Sequence, residues 1–188
     1  MSVGCDVRPG TERILGIDPG TVATGWGVVE MTGSALVHVD NGTIACSAGQ
    51  AQGMRLKRIY HGLCEVIARH RPDGVSLEKV FFAQNAASAL KLGQARGVAL
   101  LAAAENDLIL HEYASVEIKQ SVVGYGHASK EQVQKMVGSL LRLDGPLAAD
   151  AADALAAAIC DLHQRAFKLR IDEAAPRALA RSARPRNG

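Results

Sequence analysis

Four carboxylates in this chain sit where a folding chain rarely tolerates charge. Asp18 closes the apolar run Ile14-Leu15-Gly16-Ile17, and Glu78 closes Val75-Ser76-Leu77. Asp150 and Asp153 lie one helical turn apart in Ala148-Ala149-Asp150-Ala151-Ala152-Asp153-Ala154-Leu155, a segment otherwise made of alanine and leucine. Charged side chains are seldom buried unless they are paired or bind a metal. A fold that accepts this chain must therefore bring two strand ends and one helix face to a common locus where the acids share a cation. An all-oxygen donor set of this kind suits Mg²⁺ or Mn²⁺ and points to phosphoryl-transfer chemistry.

The spacing of apolar residues supplies the frame. Strands are predicted over Arg13–Asp18, Thr24–Glu30 and Leu36–Ala45, joined by turns at Pro19-Gly20-Thr21 and Thr32-Gly33-Ser34. Met54, Ile59, Leu63, Val66 and Ile67 form the apolar stripe of a helix over Gln52–His70. Arg71-Pro72-Asp73-Gly74 ends that helix, and Val75–Glu78 follows as a buried strand. Further helices are expected over Ala86–Asn106, Val116–Val123, Ser129–Leu141 and Leu147–Phe167, with a fifth strand at Leu108–Ala114. A meander followed by alternating helices and strands describes an α/β domain, a mixed sheet flanked by helices.

Length and charge bound the rest. The 188 residues fit one domain over 13–167, preceded by a loose leader at 1–12 and followed by a basic, disordered tail at 168–188. From Arg165 onward there are seven Lys/Arg against Asp172 and Glu173, so the first 164 residues are net acidic within a chain of formal charge +2. Net charge alone would not reveal a nucleic-acid binder here, because an acidic metal site offsets basic contacts elsewhere. No apolar stretch reaches membrane-span length without a charge or break, and the N-terminus lacks the regions of a signal peptide, which together imply a cytoplasmic protein. Cys46, Cys64 and Cys160 lie in apolar contexts without C-x-x-C spacing and read as buried free thiols.

Taken one at a time, the candidate residues have plainer readings. Asp18-Pro19-Gly20-Thr21 is a turn sequence, although the same pattern followed by Thr24-Gly25 also occurs in phosphate-gripping loops. Asp150 and Asp153 could simply complement a helix dipole near Pro146, but like charges on one face repel unless a cation separates them. Phe81-Phe82 follows Glu78 closely in a chain with three Phe, and a ring projecting from such a connection can stack on or wedge between bases. Lys119 and Lys130 bracket Gly124-Tyr125-Gly126-His127, a loop suited to close approach of a phosphate backbone. Arg55, Lys57 and Arg58 read as a solvated helix face. Gly93 and Gly97 in a helix interior each cost about 1 kcal/mol relative to Ala, which implies close packing on that face, within the domain or across a dimer.

In combination these residues resemble the RuvC Holliday-junction resolvases of bacteria. The matching stretches are Ile14–Gly20, Glu78–Phe81, Asn85–Gly97, Val122–Gly124 and Ala149–Leu155, and the likeness runs from about Arg13 to Arg165. The resemblance implies an RNase H-like fold whose five-stranded mixed sheet begins with three antiparallel strands. It implies a homodimer that places two active sites on opposing strands of a four-way DNA junction and cuts them by paired symmetric nicks, leaving 5′ phosphate and 3′ hydroxyl ends. Asp18, Glu78, Asp150 and Asp153 fall on the family's catalytic, metal-binding acids, which hold two Mg²⁺ (Mn²⁺ substituting). Some members carry His where this chain has Asp150. Phe81 falls on the junction-contacting aromatic, and Lys119 and Lys130 on basic residues near the scissile phosphate. Branch-migration proteins of the RuvA and RuvB type are the implied partners.

Three other readings fit less well, and one of them, a junction-binding module that has lost catalysis, is opposed by the presence of all four acids. A ribosomal-RNA processing nuclease of the YqgF type shares the RNase H-like expectation but not the Asn85–Gly97 stretch. An actin-like or sugar-kinase ATPase would share Asp18-Pro19-Gly20-Thr21, but it closes two such domains on a nucleotide, and no second phosphate loop follows.

Overall fold

A computed structural model of the protein describes residues 10–47, 49–79 and 86–182, with side chains through Ile171. Three strands open the chain: β1 (Thr11–Asp18), β2 (Ala23–Thr32) and β3 (Ala35–Ala45). They are followed by α1 (Gln52–His70), β4 (Gly74–Glu78), α2 (Ala86–Glu105), β5 (Leu110–Tyr113), α3 (Ser115–Val123), α4 (Lys130–Leu140) and α5 (Ala149–Ser182). The sheet order is β3-β2-β1-β4-β5, with the β1–β2 and β2–β3 pairs antiparallel and the β1–β4 and β4–β5 pairs parallel. This is the expected meander followed by alternation.

Strand alternation sorts the sheet into two faces. Leu15, Ile17, Val28, Val75 and Leu77 pack with α1 and α2 on one face. Ile14 and Val29 pack with α3, α4 and α5 on the other. Gly16 and Ser76 share that second face: a Cβ on Gly16 would fall 1.9 Å from the carbonyl oxygen of Ala154, and Ser76 Oγ donates to the Ala157 carbonyl at 2.8 Å. Asp18 and Glu78 each lie two residues further along their strands, so they too project on the α5 side.

Helix α5 is buried on every side between Ala154 and Leu162. Ala151, Ala152 and the run from Ala154 to Leu162 are at most 1% exposed. Small residues on both partners set this contact. A Cβ on Gly25 would lie 2.1 Å from the Asp150 carbonyl oxygen, and one on Gly27 would lie 2.5 Å from Leu155 Cγ. A buried polar cluster fixes the helix further along. Asp161, fully buried, accepts from Tyr113 Oη at 2.5 Å and Arg165 Nε at 2.9 Å, with His111 Nδ1 also at 2.9 Å. Arg165 in turn donates to Glu12 at 2.5 Å.

Most boundaries shift by one or two residues, and three of the shifts have a bearing on the fold. β1 begins at Thr11, inside the expected leader, because Thr11 and Glu12 pair with Thr32 and Met31 and Arg165 draws in Glu12. β5 is trimmed to Leu110–Tyr113. The last helix does not stop at Phe167 but continues to Ser182. Apart from Pro176, its added residues are mostly Ala, Arg and Leu, which are good helix formers even where apolar periodicity is absent. Cys46 and Cys160 are buried free thiols as expected, whereas Cys64 is only half-buried. No helix among the described residues is long and apolar enough to cross a membrane.

Gly25→Ala is expected to destabilise the fold by at least about 2 kcal/mol in urea unfolding, since the new methyl group meets backbone rather than a movable side chain. Gly138→Ala in α4, where a Cβ meets nothing within 4 Å, serves as the control and is expected to be neutral or stabilising by up to about 1 kcal/mol.

Candidate active site

The C-terminal ends of β1 and β4 lie side by side in parallel register, with Ile17 opposite Leu77. Asp18 and Glu78 are the next residues of the two strands. The first turns of α5 lie over the same strand ends, since Gly25 pairs with Asp18 in the sheet and also touches the backbone of Asp150. All four acids are half-buried.

Their charges act on one another. Burial raises the Asp18 pKa from 3.8 to about 7, and the negative charges of Asp153, Asp150 and Glu78 push it the same way, while the cation of Lys130 opposes them. Carboxylates placed this way call for positive charge, so the donor set fits a hard divalent cation. Among the described residues, however, no three acids stand close enough together to hold one ion in common.

Two lysines reach the same place from separate helices. Lys130, the first residue of α4, puts its Nζ 2.5 Å from Asp153 Oδ2. Its pKa is raised, chiefly by that hydrogen bond. Lys119 of α3 joins Lys130, Glu78, Asp153 and Ser115 around a cavity of about 220 Å³ floored by Ile118, Val133 and Ala156. The structure therefore places the other three acids within electrostatic reach of Asp18 and lines one cavity with Glu78, Asp153, Lys119 and Lys130. Phe81, the remaining predicted site residue, lies outside the described residues, as does Phe82.

Three further residues enter the neighbourhood in ways that periodicity did not disclose. Thr24, read as part of a phosphate loop, is fully buried, and its hydroxyl donates to the Gly20 carbonyl at 2.7 Å. It closes the turn after Asp18 instead of facing a ligand. Arg55 is not on the solvated face with Lys57 and Arg58. It is half-buried, and its Nη1 approaches the Thr21 carbonyl at 3.4 Å, bracing the same turn. Ser115 lines the cavity from the start of α3, and nothing in its sequence surroundings distinguished it from an ordinary helix-start serine.

Comparison with known proteins supplies the context for this geometry. The family model described as crossover junction endodeoxyribonuclease RuvC matches residues 14–161. The crossover junction endodeoxyribonuclease RuvC of Geobacter metallireducens is 54% identical over 156 residues, 83% of this chain and 95% of the relative. The protein of the same name from Proteus mirabilis is 52% identical over 160 residues, 85% of this chain and 92% of the relative. Among solved structures, that of T. thermophilus RuvC in complex with a Holliday junction substrate superposes with a TM-score of 0.77 at 34% identity, covering 86% of this chain and 96% of that one. The sheet topology and its flanking helices are thus those of an RNase H-like fold.

The raised Asp18 pKa has a consequence for stability. Because the folded-state value lies above the unfolded one, the folded protein binds more protons between about pH 4 and pH 7, and stability falls as pH rises through that window. Asp18→Asn is therefore expected to stabilise the metal-free protein by about 1–3 kcal/mol near pH 8. The gain should contract as the pH falls well below about 7, where wild-type Asp18 is already neutral. Calorimetry in chelator across this range checks both the sign and the window.

Proposed function

Because the chain belongs to the RuvC family of crossover junction endodeoxyribonucleases, we propose that Asp18, Glu78, Asp150 and Asp153 are the catalytic acids with which it resolves Holliday junctions. The protein is a structure-selective endodeoxyribonuclease of recombination and repair. One observation carries the assignment of its centre: four carboxylates from β1, β4 and α5 converge on one face of the sheet, and their mutual repulsion contributes to the raised pKa of Asp18. The chemistry supplied by bound Mg²⁺, or Mn²⁺ in its place, with two ions per site, is activation of water and stabilisation of the departing 3′ oxygen.

The remaining steps belong to the chain's own side chains. The four acids, at the ends of β1 and β4 and in the first turns of α5, would hold the ions. Lys119 and Lys130, which both line the 220 Å³ cavity, offset charge that develops on the phosphoryl group. Thr24 and Arg55 keep the turn after Asp18 closed, so this carboxylate meets the DNA in a fixed orientation. Phe81, three residues beyond Glu78, contacts the junction centre and helps to distort it. Hydrolysis then leaves 5′ phosphate and 3′ hydroxyl ends that a ligase can seal.

Paired symmetric nicking needs two sites, and α2 offers a surface for a homodimer. Leu90 is 69% exposed and Leu101 51% exposed, with Gly93 and Gly97 between them on the same stripe. A Cβ on either glycine would meet nothing within 4 Å, so their smallness serves no packing among the described residues of this chain. It suits the close approach of a second helix. The protein acts in the cytoplasm with branch-migration partners of the RuvA and RuvB type.

Asp18→Asn is expected to lower cleavage of a synthetic four-way junction at least about 100-fold, more than the loss of an outer-shell contact costs, while junction binding in Ca²⁺ is retained. Wild-type protein should give paired, ligatable nicks on the junction and none on a linear duplex of the same sequence. Normal cutting by the variant would refute the site assignment. Leu101→Glu is expected to shift sedimentation from dimer to monomer and to replace paired nicks by uncoordinated ones.

A further inference from the structure

Lys130 occupies an unusual position for a residue whose proposed partner is a phosphate. Its ammonium is engaged within the protein, 2.5 Å from Asp153 Oδ2. The backbone beneath it is well anchored. The Ser129 hydroxyl accepts from the Gln132 amide at 3.3 Å, and the Ser129 amide donates to Gln132 Oε1 at 2.8 Å, forming a capping box at the start of α4. The side chain itself is 56% exposed, so its long stem can swing from one partner to another without disturbing the helix. Asp153 has no such freedom, because its neighbours on α5 are buried against the sheet. Lys119 lines the same cavity, yet no ion pair of Lys119 is found among the described residues.

We infer that Lys130 is a placeholder for the divalent cation: it holds the Asp153 carboxylate in the metal-free protein and must release it before Asp153 can ligate metal. This rests on the four acids being the metal site. Three observations support it. The lysine cation sits on one of the acids that repel Asp18, where positive charge is most needed. In this arrangement no three acids among the described residues stand close enough together to share an ion. The pair is also partly exposed, with Asp153 at 24%, so a divalent ion can displace it.

Displacement frees the ammonium at the rim of the cavity where the phosphate is expected. Metal loading and engagement of DNA by Lys130 are then coupled, each favouring the other by the same factor. Lys119, which blocks no acid, is available to DNA whether or not metal is bound. The two lysines therefore differ in kind: Lys119 is a permanent contact and Lys130 a conditional one.

The test is Mn²⁺ binding to the full-length, DNA-free protein, followed by electron paramagnetic resonance. It compares wild type with Lys130→Gln, Lys119→Gln, Lys130→Arg and Asp18→Asn, each checked for native circular dichroism. Wild type should bind Mn²⁺ and Asp18→Asn should lose most of that binding. Lys130→Gln should tighten it by about three- to fivefold, the range expected for removing a partly exposed ion pair. Lys119→Gln, which removes the same charge from the same cavity without vacating an acid, should change it by less than about twofold. Lys130→Arg, which keeps the ion pair, should stay within about twofold of wild type. Equal tightening by the two glutamine variants would overturn the inference, because it would reduce Lys130 to a contributor of general positive potential. Unchanged or weaker binding in Lys130→Gln would also overturn it. If wild type bound no Mn²⁺, the metal-site reading would fall and this inference with it, whereas binding by wild type that only Asp18→Asn abolishes would remove the placeholder alone.

Discussion

Backbone-to-backbone contact between α5 and the sheet decides where every functional carboxylate lies. Helices ordinarily sit about 10 Å from a sheet, held off by two layers of side chains. Here the sheet offers Gly16, Gly25, Gly27 and Ser76 on the facing side, and α5 answers with alanines, so carbonyl oxygens of the helix lie almost against the strands. The closeness has a geometric purpose. Aspartate has one methylene, and its carboxylate cannot bridge an ordinary helix–sheet gap. Only when α5 lies this near the strands can Asp150 and Asp153 share a locus with Asp18 and Glu78. The alanine content of α5 is thus a matter of reach as much as of helix propensity.

Asp161 and Asp18 show how the same side chain is used in two ways. Asp161 is fully buried, but it is surrounded by Tyr113, His111 and Arg165, and the charge of Arg165 is matched again by Glu12. Such a satisfied network locks α5 to β5 and β1, and removing one partner would strand the others. Asp18 is less buried, yet burial pushes its pKa up to about 7, and the neighbouring acids Asp153, Asp150 and Glu78 push it the same way. A carboxylate whose partners are donors serves the fold, and one whose partners are acids serves a cation.

Much of this was legible in the chain because two short-range rules suffice for it. An acid that ends an apolar run marks a strand end, and alternation places Asp18 with Gly16 and Glu78 with Ser76. The i, i+3 spacing of Asp150 and Asp153 puts both on one side of a helix. What was not legible depends on tertiary partners. The start of β1 at Thr11 follows from pairing with β2 and from Arg165, a residue 153 positions from Glu12. Arg55 sits in a basic run that reads as solvated, and only the fold brings it beside Thr21. Thr24 resembled a phosphate ligand because turn-closing and phosphate-gripping threonines share a local pattern. The partner of Lys130 was hidden for the same reason, since nothing in the sequence around Ser129 points to α5.

The six charged residues of the site come from five elements: β1, β4, α3, α4 and α5. No pair of these elements contains a working site, and none of the long-range contacts that unite them is local in sequence. Gathering the acids costs free energy in the absence of a cation, as the raised Asp18 pKa attests. The core must supply what the site consumes, and it does so through the fully buried stretch of α5 from Ala154 to Leu162, immediately beyond the acids on the same helix. The segment that presents the charges is therefore also the one that contributes most to holding them in place. A partly folded chain in which α5 has not docked would lack Asp150 and Asp153 at the strand ends, and with them half of the proposed set of catalytic acids.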